Sequence, residues 1–95
     1  IKMIFETGLQ HETELILGYG PRRAGFRHWD IAIDEPGCPE ELFSIQWTTE
    51  GVMEIENLGG RDFYLNGQPF KKSPLQSGDK VRFGRTQIRF QWMDL

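Results

Sequence analysis

Apolar and polar residues alternate along many short segments of this 95-residue chain. Successive side chains of a β-strand point to opposite faces, so the alternation predicts strands with one buried face and one face in water. Apolar residues nowhere recur at helical spacing over the roughly 11 residues of a typical helix. The predicted strands are Lys2–Glu6, Glu14–Leu17, Ile31–Asp34, Phe43–Thr48, Met53–Glu56, Phe63–Asn66, Val81–Gly84 and Ile88–Trp92. Strands this short and numerous predict an all-β sandwich or barrel.

Turn residues separate the predicted strands. Thr49–Gly51 predicts a hairpin tip, and Asn66-Gly67 predicts a type I′ turn, because both residues tolerate positive φ. Two connections are longer, Gly18–Trp29 and Asp34–Leu42. Binding residues concentrate on the long loops of such scaffolds, so we expect the functional residues there.

The composition excludes several classes of function. One cysteine and two histidines cannot supply a disulfide framework or a convincing zinc site, so no metal or cofactor is expected. The longest apolar run is Leu15–Leu17, far short of the roughly 20 residues of a membrane span, so this segment should not insert into a membrane. No nucleophile–base pair is visible, which predicts a non-enzyme without catalytic residues. We expect residues 1–95 to form one domain, cut from a longer protein and located in the cytoplasm.

Charge is unevenly distributed along the chain. Asp30–Glu56 contains eight acidic residues and no lysine or arginine, whereas Arg61–Arg89 contains seven basic residues and two acidic ones. The two segments could pair as neighbouring strands and neutralise each other. Alternatively, they could form an acidic and a basic surface for head-to-tail contacts with other subunits. A sequence pI of about 5.3, with the aromatic residues mostly at core positions, argues against nucleic-acid binding.

Four motifs occur in an ordered series from Asp30 to Gly84. They are Asp30–Pro36 (DIAIDEP), Asn57–Gly60 (NLGG), Asn66–Gln68 (NGQ) and Leu75–Gly84 (LQSGDKVRFG). This series resembles the forkhead-associated (FHA) domain family. The resemblance implies a β-sandwich of two antiparallel or mixed sheets with about 11 short strands. It also implies that loops at one end of the sandwich bind a partner, which in that family is usually a phosphothreonine peptide.

The resemblance is weakest at the positions where the family binds phosphate. The family uses an arginine in a G-R pair, the serine of S-x-x-H and an asparagine before a glycine. Here Pro39 and Leu42 occupy the serine and histidine positions, and the loop that begins at Gly60 is one residue shorter, without an asparagine in register. Proline carries no donor for phosphate, and Glu40 and Glu41 would repel a group of charge about −1.5 to −2. The candidate residues for partner contacts in the loops are Arg22, Arg23, Arg27, Arg61, Asp62 and Asn66.

The sequence thus predicts a non-catalytic protein-interaction module that lacks the usual phosphothreonine pocket. The segment Cys38–Leu42 is similar to that of FHA-like cytoplasmic domains in bacterial secretion-system inner-membrane rings. That similarity implies a scaffold on the cytosolic side of a membrane-anchored protein, which docks neighbouring copies or cytosolic partners. The alternative is a phosphothreonine-binding signalling module whose pocket is rebuilt from the loop arginines, since arginine forks suit phosphate oxygens.

Overall fold

A computed structural model describes residues 1–18, 20–59 and 61–92. These residues contain 11 β-strands and no helix, and therefore no helix long and apolar enough to cross a membrane. The strands are β1 (Lys2–Thr7), β2 (Glu14–Ile16), β3 (Arg22–Gly25), β4 (Ile31–Ala32), β5 (Phe43–Trp47), β6 (Met53–Asn57), β7 (Phe63–Leu65), β8 (Gln68–Pro69), β9 (Lys72–Pro74), β10 (Lys80–Phe83) and β11 (Thr86–Gln91).

The strands form two sheets. The six-stranded sheet has the order β2-β1-β11-β10-β7-β8, and the five-stranded sheet has the order β4-β3-β5-β6-β9. Neighbouring strands are antiparallel except for β3 and β4, which are parallel. The predicted all-β sandwich of two antiparallel or mixed sheets with about 11 strands is confirmed.

Alternate residues of both sheets supply the core. Phe43 of β5 lies at its centre, with ring centroids 5.5 Å from Phe63 and 6.3 Å from Phe90, the latter edge-on. Such aromatic pairs stabilise a core beyond the area that they bury. The buried apolar side chains are Met3, Phe5, Ala24, Ile31, Ile33, Cys38, Leu42, Phe43, Ile45, Met53, Ile55, Phe63, Leu65, Leu75, Val81, Ile88 and Phe90.

The structure corrects one predicted loop and adds three strands. The segment Gly18–Trp29, predicted as one long connection, contains β3 in its middle. The sequence does not predict β3, because its only buried residues, Ala24 and Gly25, are small and adjacent, so no apolar alternation marks the strand. Strands β8 and β9 are two and three residues long and carry no buried residue. The predicted type I′ turn is confirmed by φ values of 50° at Asn66 and 81° at Gly67.

Five connections lie at one end of the sandwich, which we call the loop end. Strand pairing places the ends of β1, β3, β4, β6 and β10 there, together with the starts of β5, β7 and β11. The connections at the loop end are β1–β2, β3–β4, β4–β5, β6–β7 and β10–β11. The longest of them is β4–β5, residues 33–42, which corresponds to the second predicted long loop.

Gly25, the last residue of β3, allows the β4–β5 connection to pass directly beside it. A Cβ atom at this position would overlap the carbonyl of Glu40, and backbone cannot give way as a flexible side chain can. We expect Gly25→Ala to lower the free energy of unfolding by at least about 2 kcal/mol, measured by urea denaturation. The matched control is Gly18→Ala, whose nearest neighbour would be a flexible Arg22 nitrogen at 4.0 Å. Equal stability of the two variants would contradict the packing described.

Candidate functional site

The β4–β5 connection runs along the end of β3 and extends the sheet there. The backbone N–H of Phe26 donates to the carbonyl of Pro39 at 2.8 Å, and the N–H of Leu42 donates to the carbonyl of Ala24 at 2.7 Å. These two bonds bracket the close approach of Glu40 to Gly25. The segment from Pro39 to Leu42 is therefore held by backbone bonds rather than by side chains alone.

The β6–β7 connection lies against the same segment. The N–H groups of Leu58 and Gly59 both donate to the carbonyl of Leu42, at 2.8 and 3.0 Å. A Cβ atom on Gly59 would lie 2.7 Å from the ring of Pro39 and 3.0 Å from the side chain of Leu42. Leu42, which the sequence predicts at the family's histidine position, is only 1% exposed and belongs to the core.

Two polar side chains tie the β4–β5 connection to other parts of the loop end. Glu35 Oε1 accepts from the Arg85 backbone N–H at 2.8 Å and from the Thr86 hydroxyl at 3.0 Å. Gln10, in the β1–β2 connection, donates to the Ala32 carbonyl at 2.9 Å and accepts from the Asp34 N–H at 2.8 Å. Sequence reasoning missed both residues. The only available signal for Glu35 was the alternation itself, which places it on the opposite side from Asp34.

The candidate arginines of β3 and the β3–β4 connection contact neighbouring groups, and one of them forms an ion pair. Arg22 bends back over Gly20 and donates to the carbonyl of Pro21 at 3.0 Å. Arg23 forms an ion pair with Glu41 at 2.6 Å. Arg27, which has a φ of 56°, lies over the ring of Phe26 at 5.1 Å.

The remaining candidate residues separate into two places. Arg61 and Asp62 are exposed in the β6–β7 connection at the loop end. Asn66 lies in the β7–β8 turn, where its amide donates to the Asp79 carboxylate and its oxygen accepts from the Lys80 N–H, both at 3.0 Å. The structure therefore does not bring Asn66 together with the loop-end arginines. Gly60 lies outside the described residues.

A groove beside the β3–β4 connection carries the most exposed aromatic residue of the described chain. Among the aromatic residues of the predicted loops, Trp29 is 92% exposed, whereas Phe26 and Phe70 pack against the core. Tyr19 lies outside the described residues. The groove is lined by Pro21, Arg22, Arg23, His28, Trp29, Asp30, Glu41, Ser44, Ile45, Gln46, Glu56 and Leu58.

Part of the charge separation is neutralised within the fold. Glu54 of β6 pairs with Lys72 of the neighbouring strand β9 at 3.4 Å, which is the cross-strand neutralisation that one interpretation predicts. Lys80 and Arg89 instead pair with Glu6, which lies outside both charged segments, at 3.4 and 3.2 Å. Within the described residues, the cations that form no ion pair include Arg27, Arg61, Lys71, Arg82 and Arg85.

Cys38 lies inside the β4–β5 connection and is unsuited to chemistry. Burial raises the pKa of its thiol to about 11, and the negative charge of Glu35 acts in the same direction. A thiol with this pKa is almost entirely protonated at neutral pH and is a poor nucleophile. Among the described residues, no three His, Cys, Asp or Glu side chains converge in a way that could hold a metal ion.

The family model of the FHA domain matches residues 22–84. The chain belongs to the FHA family. FHA domains are protein-interaction modules and are not enzymes, and they typically bind phosphothreonine peptides. The match spans the strands β3 to β10 and all of the β4–β5 connection.

Solved structures share this fold at low sequence identity. An FHA domain from a study of phosphothreonine-dependent FHA interactions superposes with a TM-score of 0.81 at 21% identity, covering 99% of this chain and 97% of that chain. The FhaA FHA domain, solved in complex with the intracellular domain of another protein, superposes with a TM-score of 0.76 at 20% identity. The match covers 93% of this chain and 96% of that chain. The cytoplasmic domain of the T3SS sorting platform protein PscD from P. aeruginosa superposes with a TM-score of 0.73 at 19% identity. The match covers 93% of this chain and 76% of that chain. No curated protein matches the chain significantly.

The ion pairs of Glu6 make the stability of this FHA domain depend on pH. Burial alone acts to raise the pKa of the Glu6 carboxyl, but the hydrogen bond from Gln87 and the charge of Lys80 outweigh it. The net effect lowers the pKa below its ordinary value of 4.5. A carboxyl whose pKa is lowered by folding contributes stability that is complete above the unfolded-state pKa and is lost as the pH falls through the folded-state pKa.

We expect Glu6→Gln to flatten the loss of stability on acidification below about pH 4.5. The measurement is urea denaturation at a series of pH values from neutral to acidic. The matched control is Glu12→Gln, because Glu12 is exposed and forms no ion pair in the described chain. An unchanged pH profile for Glu6→Gln would show that the ion pairs do not stabilise the fold.

Proposed function

We propose that this FHA domain is a non-catalytic scaffold whose loop end docks a protein partner without a phosphothreonine pocket. One observation supports the proposal: the motifs lead us to expect the family's phosphate-binding serine at the position of Pro39, and contacts with both neighbouring connections fix Pro39 in the fold. The carbonyl of Pro39 accepts a hydrogen bond from the backbone N–H of Phe26, and its ring lies against Gly59. A shift that brought another residue into the serine position would break both contacts.

The chemistry around Pro39 disfavours a phosphate dianion. Proline offers neither a hydroxyl nor an N–H to a phosphate oxygen. Glu40 is exposed beside it, and Arg23, which could have served as a donor, is neutralised by Glu41. A phosphate at this place would meet negative charge and few donors, so it would lose the charge-assisted hydrogen bonds on which phosphopeptide recognition depends.

The groove around Trp29 suits a protein surface better. Trp29 and the 39%-exposed Leu58 supply apolar area, and Arg22, Asp30 and Glu56 supply polar groups of both signs around it. Exposed tryptophan is enriched at the energetic centre of protein interfaces, where polar residues surround an apolar anchor. We therefore assign the docking surface to this groove and the adjoining β3–β4 and β4–β5 connections.

A place in a bacterial secretion apparatus is the specific form of this proposal. It is supported by the sequence of Cys38–Leu42 and by the similarity of the fold to the PscD cytoplasmic domain. In that role residues 1–95 would be one domain on the cytoplasmic side of a membrane-anchored protein. Its partners would be neighbouring copies or cytosolic subunits, with no cofactor, no metal and no nucleic acid.

A phosphothreonine-binding role is the second candidate, because two exposed arginines remain available. Arg27 and Arg61 lie on the two connections that both contact Pro39, and neither forms an ion pair in the described chain. Two guanidinium groups could hold a phosphate without the serine, since arginine presents paired donors that match phosphate oxygens. Arg22, Arg23, Asp62 and Asn66 remain secondary candidates.

Titration with a phosphothreonine peptide library and its unphosphorylated twin distinguishes the two candidates. We expect no phosphate-dependent shift of the amide resonances in residues 26–30 and 58–62. Phosphate-dependent shifts confined to those residues, with micromolar affinity, would overturn the scaffold proposal. Arg27→Gln and Arg61→Gln would then abolish the shifts, whereas Lys71→Gln is the matched control because Lys71 is equally exposed but lies between β8 and β9.

Sedimentation across a salt series tests docking between neighbouring copies. We expect the domain to self-associate at millimolar concentration and low salt, and Trp29→Ser to weaken the association at least about fivefold because the groove loses its apolar anchor. Val52→Ser is the control, since Val52 is also an exposed apolar residue but lies in the β5–β6 turn. A strictly monomeric domain under these conditions would exclude self-docking and leave only a different protein as partner.

A further inference from the structure

A second hollow lies at the loop end, between the β1–β2 connection, the start of the β4–β5 connection and the β10–β11 tip. It shares no lining residue with the groove around Trp29. Its lining residues are Thr7, Gly8, Leu9, Glu35, Pro36 and Arg85. None of them was among the candidate residues that the sequence suggested.

Glu35 is the chemical centre of this hollow. Its side chain is only 8% exposed, and a buried carboxylate is costly unless its oxygens are paired. Oε1 accepts from the Arg85 N–H and the Thr86 hydroxyl, whereas Oε2 makes no hydrogen bond or ion pair with any described residue. The hollow therefore offers one carboxylate oxygen with unused acceptor capacity.

Leu9 and Pro36 form an apolar part of the rim of the hollow. Leu9 is 75% exposed, and Pro36 is also exposed. An apolar rim around a buried anion is complementary to an alkyl chain that ends in a cation. Lysine has this form, because its methylene stem packs on apolar surface while its ammonium group seeks an acceptor.

We propose that this hollow binds a lysine side chain of a partner protein. The stem lies on Leu9 and Pro36, and the ammonium group donates to Oε2 of Glu35. Arg85 also lines the hollow and forms no ion pair in the described chain, so its positive charge favours an acidic residue next to that lysine. The site does not depend on whether Arg27 and Arg61 bind phosphate or the groove around Trp29 docks a partner.

The first test uses small probes in an amide chemical-shift titration. n-Butylammonium represents the lysine side chain, and n-butanol has the same alkyl chain without the charge. We expect butylammonium to shift the amides of Gly8, Leu9, Arg85 and Thr86, and butanol to bind at least about fivefold more weakly. Equal shifts from the two probes, or no shifts from butylammonium, would overturn the proposal.

Three variants separate the charge, the rim and the neighbouring cation. Glu35→Gln keeps an oxygen for Arg85 and Thr86 but removes the charge, so it should abolish the preference for butylammonium over butanol. Leu9→Ala changes an exposed side chain, so the variant should fold normally. It should bind both probes more weakly, because the rim loses apolar contact area. Arg85→Gln removes a competing positive charge while its backbone N–H still bonds Glu35, so it should bind butylammonium more tightly.

The matched control is Glu50→Gln, an exposed carboxylate in the β5–β6 turn at the opposite end of β5 from the loop end. It should leave binding of both probes unchanged. If Glu35→Gln fails to fold, Leu9→Ala and Arg85→Gln still decide the question. Weaker binding of butylammonium by Arg85→Gln, or unchanged binding by Leu9→Ala, would contradict the assignment.

Discussion

The backbone of the β4–β5 connection is the element on which the loop end depends. Its carbonyls at Pro39 and Leu42 accept from Phe26, Leu58 and Gly59, which belong to the connections that flank it. A loop on a protein surface usually leaves such groups to water, whereas here they extend the sheet pairing beyond the strands. The connection can therefore present its side chains in fixed positions.

This constraint bears directly on function. Pro39 is held between the β3–β4 and β6–β7 connections. On the proposed function, a proline at the family's serine position removes a hydrogen-bond donor without loosening the scaffold. The fold would then be retained while the chemistry of the site changes, as expected when function resides in side chains grafted on a stable framework. What the loop end offers instead is an exposed Trp29, charges of both signs and a buried carboxylate at Glu35.

The strands with apolar alternation could be predicted from the sequence because that alternation reflects burial of one face. Strand β3 could not, since its two buried residues are small: Ala24 belongs to the core, and Gly25 is covered by the close approach of the Glu40 backbone. The residues of the loop end, likewise, could be predicted only where the sequence pattern marks them. Pro39 and Leu42 were recognisable by their position in the motifs, but the partners of Glu35 lie about 50 residues away and depend on the tertiary fold.

Native-state hydrogen exchange measures the central claim most directly, because it reports whether the backbone bonds of the loop end are as stable as those of the sheets. We predict that the amides of Phe26, Leu42, Leu58 and Gly59 exchange as slowly as core amides such as that of Ile55, and that Arg61 exchanges faster. Rapid exchange of the first four amides, at rates typical of an unconstrained surface loop, would contradict the account.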